Sequence, residues 1–216
     1  AGQTITAIRF SGLTTTHPSV IDRELLVRVG DFFNPESYDE SIRRLRNMKL
    51  FVRVEGQLAP NPKGIDLEIT FTEKWTVLPI IKFGSAGNVQ YFQLGAYDVN
   101  FLGRYMELGA QYENLAGRSS GNFWFRQPRL FGRRLLLGID AGSITRVRSL
   151  YDAAGINFGG FTLLRKRLNL FTEVEVNSNF SIGFSADFNF DRLTDDGLSA
   201  AENAANLARG FDPSGF

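Results

Sequence analysis

Asn179-Phe180-Ser181-Ile182-Gly183-Phe184-Ser185-Ala186-Asp187-Phe188-Asn189-Phe190-Asp191 is the stretch whose reading sets the fold class. Phe180, Ile182, Phe184, Ala186, Phe188 and Phe190 alternate with Asn179, Ser181, Gly183, Ser185, Asp187, Asn189 and Asp191. Successive side chains of a strand point to opposite faces, so a strict period of two makes one apolar and one polar face. The pattern recurs upstream. In Tyr105 to Glu113, Met106, Leu108, Ala110 and Tyr112 oppose Glu107, Gly109, Gln111 and Glu113. In Arg134 to Gly142, Leu135, Leu137, Ile139 and Ala141 oppose Arg134, Gly138, Asp140 and Gly142.

Strands of about 9–11 residues with this alternation suit a transmembrane β-barrel. In lipid every backbone N–H and C=O must find a partner within the protein, so only a closed or completed β-structure spans. A soluble β-sandwich also alternates. Two features favour the membrane. The stretches exceed the usual soluble strand of about 5–6 residues, and their apolar side is a ladder of Phe where a sandwich mixes in Val and Ile. About eight such strands fit in residues 75–191. Trp75, Trp124, Tyr91 and Tyr151 read as interfacial aromatics. Arg165-Lys166-Arg167 reads as a hairpin end near lipid headgroups, and Gly159-Gly160 as a turn or strand glycine pair.

Residues 1–74 have another character. Ile5, Ala7, Ile8 and Phe10 form a short apolar strand ending at Gly12. Thr16-His17-Pro18 enters a helix, with Pro in its favoured first turn. Ile21, Leu25 and Val29 extend it along one face to a C-cap at Gly30. Asn34-Pro35-Glu36 opens a second helix, with Asn as its cap and Tyr38, Ile42, Leu45 and Met48 on its apolar side. Two strands follow, Leu50 to Gln57 and Ile65 to Phe71, joined by Ala59-Pro60-Asn61-Pro62-Lys63-Gly64. The order is β-α-α-β-β. Beyond residue 191, residues 192–216 read as a loop or tail with a weakly helical, alanine-rich run at Leu198 to Leu207.

Composition narrows the function. With a net charge of +1 there is no polycationic surface, so nucleic acid is not an expected partner. The absence of cysteine excludes disulfides, zinc–thiolate sites and cysteine nucleophiles. Phe at 20 residues and Gly at 22, against 7 Pro, fits many closely packed strands. No run of about 18 apolar residues exists, so no transmembrane helix is expected. The opening Ala1-Gly2-Gln3-Thr4 fits a mature end left after cleavage at a small residue, and fits an arbitrary boundary equally.

The first part resembles a polypeptide-transport-associated (POTRA) domain. Ile5-Thr6-Ala7-Ile8-Arg9-Phe10-Ser11-Gly12, the two helices, and Leu45-Arg46-Asn47-Met48-Lys49-Leu50-Phe51-Val52-Arg53-Val54 carry that resemblance. The second part resembles the start of the barrel in the outer-membrane assembly and two-partner-secretion superfamily, of bacterial surface antigen type. Asp98-Val99-Asn100-Phe101-Leu102-Gly103-Arg104 is similar to one family hairpin, and Gln127-Pro128-Arg129-Leu130-Phe131-Gly132 to the next. Family barrels have about 16 strands, and this chain has room for half. Three readings are open: a fragment, a small closed barrel, or an open half completed by another chain.

The resemblance implies the outer membrane of a Gram-negative-type bacterium, with the N-terminal domain in the periplasm. The expected role is outer-membrane protein assembly or polypeptide translocation, with scaffolding inside a larger barrel complex as the alternative. Expected partners are unfolded outer-membrane or secreted polypeptides, the bilayer with its lipopolysaccharide, and periplasmic accessory proteins or a second chain. Client strands would add to the edge Phe51, Val52, Arg53, Val54 and Glu55 by β-augmentation. They would enter at a lateral seam along Val77, Pro79, Ile81 and Phe83, where Pro79 cannot donate to a ladder. Arg209, Gly210 and Phe211 resemble the family's lumen-loop triplet.

No catalytic constellation is legible, and neither enzyme activity nor a cofactor or metal is expected. His17 has no second histidine and reads as a cap or surface residue. No G-x-S-x-G elbow, P-loop or dinucleotide glycine motif occurs. Glu107, Glu113, Glu173, Glu175 and Asp187 alternate along strands and read as lining of a polar interior.

Overall fold

The computed structural model describes residues 3–86, 89–177 and 179–213. The opening Ala1-Gly2 and the closing Ser214-Gly215-Phe216 lie outside the described residues. Two compact units emerge: Ala1–Leu78 with Asp98–Glu107, and Pro79–Tyr97 with Leu108–Phe216.

The first unit is α+β. Its order is β1 (Ile5–Ser11), α1 (Pro18–Asp22), α2 (Pro35–Asn47), β2 (Phe51–Asn61) and β3 (Gly64–Glu73). β3 lies in the middle of the sheet, parallel to β1 and antiparallel to β2. This is the β-α-α-β-β order read from the residues. Asn34 caps α2, its side-chain oxygen accepting from the N–H of Glu36 at 2.9 Å and of Ser37 at 3.3 Å. Ile42 and Leu45 of α2 pack with Leu50, just before β2, and with Ile69 and Phe71 of β3, and all are buried.

Helix α1 is shorter than its periodicity suggests. It ends at Asp22, where Ile21-Leu25-Val29 implied a helix as far as Gly30. Tertiary packing overrides the pattern. Leu25 enters the α2 cluster, while Val27 enters a second cluster with Ile5, Ile65 and Leu67. The chain carrying Leu25 and Val27 to these two clusters is not helical. The Leu26 N–H donates to Ser41 Oγ at 2.9 Å, outside any helical ladder. Val29 stays exposed.

The second unit is built on a seven-stranded antiparallel sheet in simple order, β4 (Val77–Ala86), β5 (Val89–Asp98), β6 (Glu107–Leu115), β7 (Arg118–Gln127), β8 (Leu135–Tyr151), β9 (Asn157–Asn177) and β10 (Phe180–Thr194). The count is seven rather than the expected eight or so, because β8 and β9, at 17 and 21 residues, are about twice the length expected of a strand and use more of the chain. Arg165-Lys166-Arg167 lies in mid-strand in β9, not at a hairpin end. There Arg165 pairs with Asp191 and Arg167 with Asp187 across to β10. The sheet is open, with β4 and β10 on its edges. A last helix, α3 (Ala200–Ala208), starts with a full capping box between Ser199 and Glu202. Among the described residues no helix is long and apolar enough to cross a membrane.

Candidate functional site

β2 is an edge strand of the first sheet, and the expected client-binding residues lie along it. Phe51 and Val54 turn inward and are buried, whereas Val52 is 68% exposed and Arg53 and Glu55 are exposed as well. The register with β3 shifts between Phe51 and Arg53, which sets Val52 on a bulge. A groove of about 400 Å³ follows this edge, lined by Arg46 and by all five residues from Phe51 to Glu55. The Arg46 guanidinium donates to the Val54 carbonyl oxygen through Nη2 at 3.0 Å and Nε at 3.3 Å. Gly56 keeps β2 close to α2, since a Cβ there would fall 1.9 Å from the Tyr38 hydroxyl oxygen. Burial pushes the Tyr38 hydroxyl above its ordinary range, and the nearby Asp39 carboxylate adds to the shift.

Val77, Pro79, Ile81 and Phe83 all lie on β4, and all four are exposed. Among the described residues β4 pairs with β5 alone, and it lies at one edge of the sheet. Pro79 brings no N–H to it.

The seven-stranded sheet has two unlike faces. Among the described residues, ion pairs link neighbouring segments of the sheet on one of them. Arg126 meets Asp140 at 2.8 Å, Arg134 meets Glu175 at 2.6 Å, Arg165 meets Asp191 at 2.6 Å and Arg167 meets Asp187 at 2.8 Å; Arg146 pairs with Glu113. Three of the acids read as polar lining, Glu113, Glu175 and Asp187, are thus partners of arginines. Glycines on the same face make room for rings. Trp124 and Tyr97 pack where a Gly109 Cβ would sit, and Phe171 covers Gly138 with the Arg126 guanidinium 4.6 Å from its ring centroid. Tyr91 donates to Gln93 at 2.7 Å, and Gln93 to Gln111 at 2.5 Å. Trp124 and Tyr91 therefore serve the polar face; expected as interfacial aromatics, they are drawn in by the space the glycines leave and by hydrogen-bond partners.

The other face is apolar and bare. Leu168 and Leu170 are 36% and 39% exposed, although β9 is flanked by strands on both sides. The register puts Ala141, Leu168 and Phe188 side by side, and likewise Ile139, Leu170 and Ala186.

Residues Arg209, Gly210 and Phe211 sit at the C-terminal end of α3. The Arg209 guanidinium lies 3.9 Å from the Phe158 ring centroid, and the Phe211 ring lies 5.9 Å from that of Phe161. Asn206, which sequence reasoning passed over, anchors this segment. It is fully buried, its Nδ2 donating to the Gly160 carbonyl at 2.6 Å while its Oδ1 accepts from the Gly160 N–H at 3.3 Å. Gly159 must lack a side chain, because a Cβ would sit 2.0 Å from Asn206 Oδ1. The Gly159-Gly160 pair was the signal for this close approach.

Sequence reasoning also missed how the first hairpin turn is held. Within the first unit, the loop Thr14–His17 is organised by Glu73, whose carboxylate accepts from the N–H groups of Thr14, Thr15 and Thr16 at 3.1, 2.8 and 2.7 Å and from the Thr14 hydroxyl. Burial raises the Glu73 carboxyl, but the bonds from Thr14, Thr16 and Thr15 outweigh it and hold it at about 2. The loop then grips the turn around Phe101–Gly103. Asn100, almost fully buried, donates to Thr16 Oγ1 at 2.9 Å, and the His17 N–H donates to the Gly103 carbonyl at 2.8 Å. Val99 and Tyr105 pack on the first unit's core. His17 itself caps α1, its Nδ1 accepting from the Ser19 N–H at 3.2 Å. Among the described residues no group of three or more His, Cys, Asp or Glu side chains converges on a metal-sized site.

Residues 3–74 match the POTRA family, the surface antigen variable number repeat. Among solved structures the chain is similar to BamA from Haemophilus ducreyi lacking POTRA domains 1-3. The TM-score is 0.69 at 18% identity, over 88% of this chain and 36% of that one. It is also similar to CdiB from Acinetobacter baumannii, with a TM-score of 0.59 at 14% identity over 93% of this chain and 39% of that one. At such identities the likeness is one of fold, and the chain spans little more than a third of the length of either. No curated protein matches. The expected resemblance to the assembly and two-partner-secretion superfamily stands, as a POTRA match together with this shared fold.

Proposed function

We propose, from the premise that residues 3–74 are a POTRA domain on a chain with the fold of BamA and CdiB, that this protein handles polypeptides at the outer membrane of a Gram-negative-type bacterium. The POTRA domain faces the periplasm and captures client strands on the free side of β2. The seven strands belong to a transmembrane barrel whose apolar face meets acyl chains, and β4 forms one side of a lateral seam. No catalysis is involved.

The observation that carries this reading is the coincidence of the β2 edge with a groove lined by Arg46 and Phe51 to Glu55. An unpaired strand edge binds an incoming strand through main-chain hydrogen bonds, with little demand on client sequence. That suits a handler of many polypeptides. The bare apolar face supports the membrane part, since a sheet that leaves Leu168 and Leu170 open in its interior needs a solvent other than water.

Photo-crosslinkers placed at Val52, Arg53 and Glu55, and at Pro79, Ile81 and Phe83, test both sites in the native membrane. Nascent barrel or secreted polypeptides should be trapped at both. Clients trapped only elsewhere would remove the transport reading. In that case the rival role remains, a structural subunit of a larger barrel complex.

A further inference from the structure

An arginine stands on the strand edge to which a client would add. The register of β2 with β3 is continuous from Val54↔Phe71 to Asn61↔Gly64. Along an antiparallel ladder the main-chain groups of alternate residues face the partner strand, and those of the residues between them face away. Two markers fix the phase here. The Val54 carbonyl accepts from Arg46 of α2, and Pro60 has no N–H to give to β3. Val54, Gly56, Leu58 and Pro60 therefore turn their main chain outward. Arg46 is unlike its neighbours on α2. Arg43 and Arg44 both pair with Glu40, whereas among the described residues no carboxylate pairs with Arg46. Its Nη2 at 3.0 Å and Nε at 3.3 Å converge on one neutral oxygen. A guanidinium fork matches the two oxygens of a carboxylate, and a charged acceptor makes a bond roughly twice as strong. Arg53, also in the groove, lies 3.4 Å from Glu55, so Arg46 leaves the groove with a positive end.

We infer that Arg46 makes the β2 edge selective for extended segments that place an aspartate or glutamate opposite Val54. An incoming strand needs the Val54 carbonyl as acceptor for its own N–H, and so must displace Arg46. Directly opposed residues of a sheet carry their side chains on the same face. Val54 turns its side chain into the core beneath α2, so the client residue opposite it projects toward α2 and the displaced guanidinium. A carboxylate there takes up the fork while the carbonyl passes to the strand. An amide replaces the lost bond only in part, and a cation repels Arg46. Main-chain pairing alone asks little of client sequence, and this residue adds one chemical demand to it. The inference rests on strand capture at β2.

The test uses the full protein in phosphatidylcholine nanodiscs and fluorescein-labelled peptides of alternating Thr and Val with Glu, Gln or Lys at one central position. Anisotropy gives the affinities, and hydrogen exchange at the outward Gly56 and Leu58 amides reports strand addition. The Glu peptide should bind about tenfold more tightly than the Gln peptide, with the Lys peptide weakest. In Arg46→Gln the Glu and Gln peptides should bind within about twofold of each other, with exchange in α2 and β3 unchanged. Arg46→Lys keeps the charge without the fork and should fall between the two. Slowed exchange at Gly56 and Leu58 with equal affinity for Glu and Gln, or a preference that survives Arg46→Gln, overturns the selectivity alone. No binding, or binding that leaves those two amides unprotected, overturns strand capture at β2 and the selectivity with it.

Discussion

The two units use the same aliphatic and aromatic side chains in opposite ways. In the first, Ile21, Leu45 and Leu67 have no solvent exposure at all. In the second, Leu168 and Leu170 sit on an interior strand and remain more than a third exposed. The difference teaches that a period of two is a statement about faces, not about cores. Helices α1 and α2 cover one side of the first sheet, so its apolar residues find protein. Nothing described covers the Phe and Leu face of the second, while its other face is knit by arginine–carboxylate pairs.

The comparison can be broken first at its cores. Leu45→Ala should cost about 2–5 kcal/mol, because it leaves a cavity in a closed core; urea unfolding of the full protein followed by hydrogen exchange in α2 and β3 measures it. Leu168→Arg should cost about 2–4 kcal/mol in a bilayer, as a cation on a lipid-facing strand does. The same change should be close to neutral if that face meets water. Equal stability of wild type and Leu168→Arg in vesicles would erase the distinction between the units.

Smaller effects sharpen it. Gly103→Ala meets the Thr15 carbonyl at 2.0 Å and should cost about 1–3 kcal/mol more than Gly132→Ala, where only the positive φ resists. Equal costs would mean that the Thr15 contact does not constrain the turn. Glu73→Gln should cost about 1–2 kcal/mol at neutral pH by weakening the Thr14–Thr16 loop. Its pH dependence has a definite sign. The folded carboxyl is held at about 2, below its ordinary 4.5, so its stabilisation is complete above pH 4.5 and is lost as pH falls toward 2. Acid titration of hydrogen exchange in residues 14–17 should show this loss in the wild type and a flatter profile in Glu73→Gln.

Much of the fold was legible. The β-α-α-β-β order followed from Pro18, from Asn34-Pro35 and from the Ile65-Leu67-Ile69-Phe71 alternation, each a local signal of backbone geometry or solvent. The polar face was legible in part: Glu113, Glu175 and Asp187 were placed by alternation, but their arginines stand 33, 41 and 20 positions away, and register across strands is not a local property. The end of α1 was not legible, because Leu25 and Val27 answer to two clusters formed by distant strands. Nor was the mid-strand place of Arg165 and Arg167, since a triple of cations resembles a hairpin end until Asp187 and Asp191 are seen beside it. The site residues behave likewise. Phe51 to Glu55 and Val77 to Phe83 were recognisable as strand segments, but Arg46 on the Val54 carbonyl and Asn206 in the Gly159-Gly160 notch depend on chain folding back from elsewhere.

By itself, the sequence determined which side chains share a face, because a strand's two-residue period and a capped helix are properties of neighbouring residues. Only the tertiary structure decided what each face meets. Strand order, the edge positions of β2 and β4 and the clasp on Asn100 and Gly103 all arise from contacts between residues far apart in the chain. Alternation of polarity specifies no partner for such contacts.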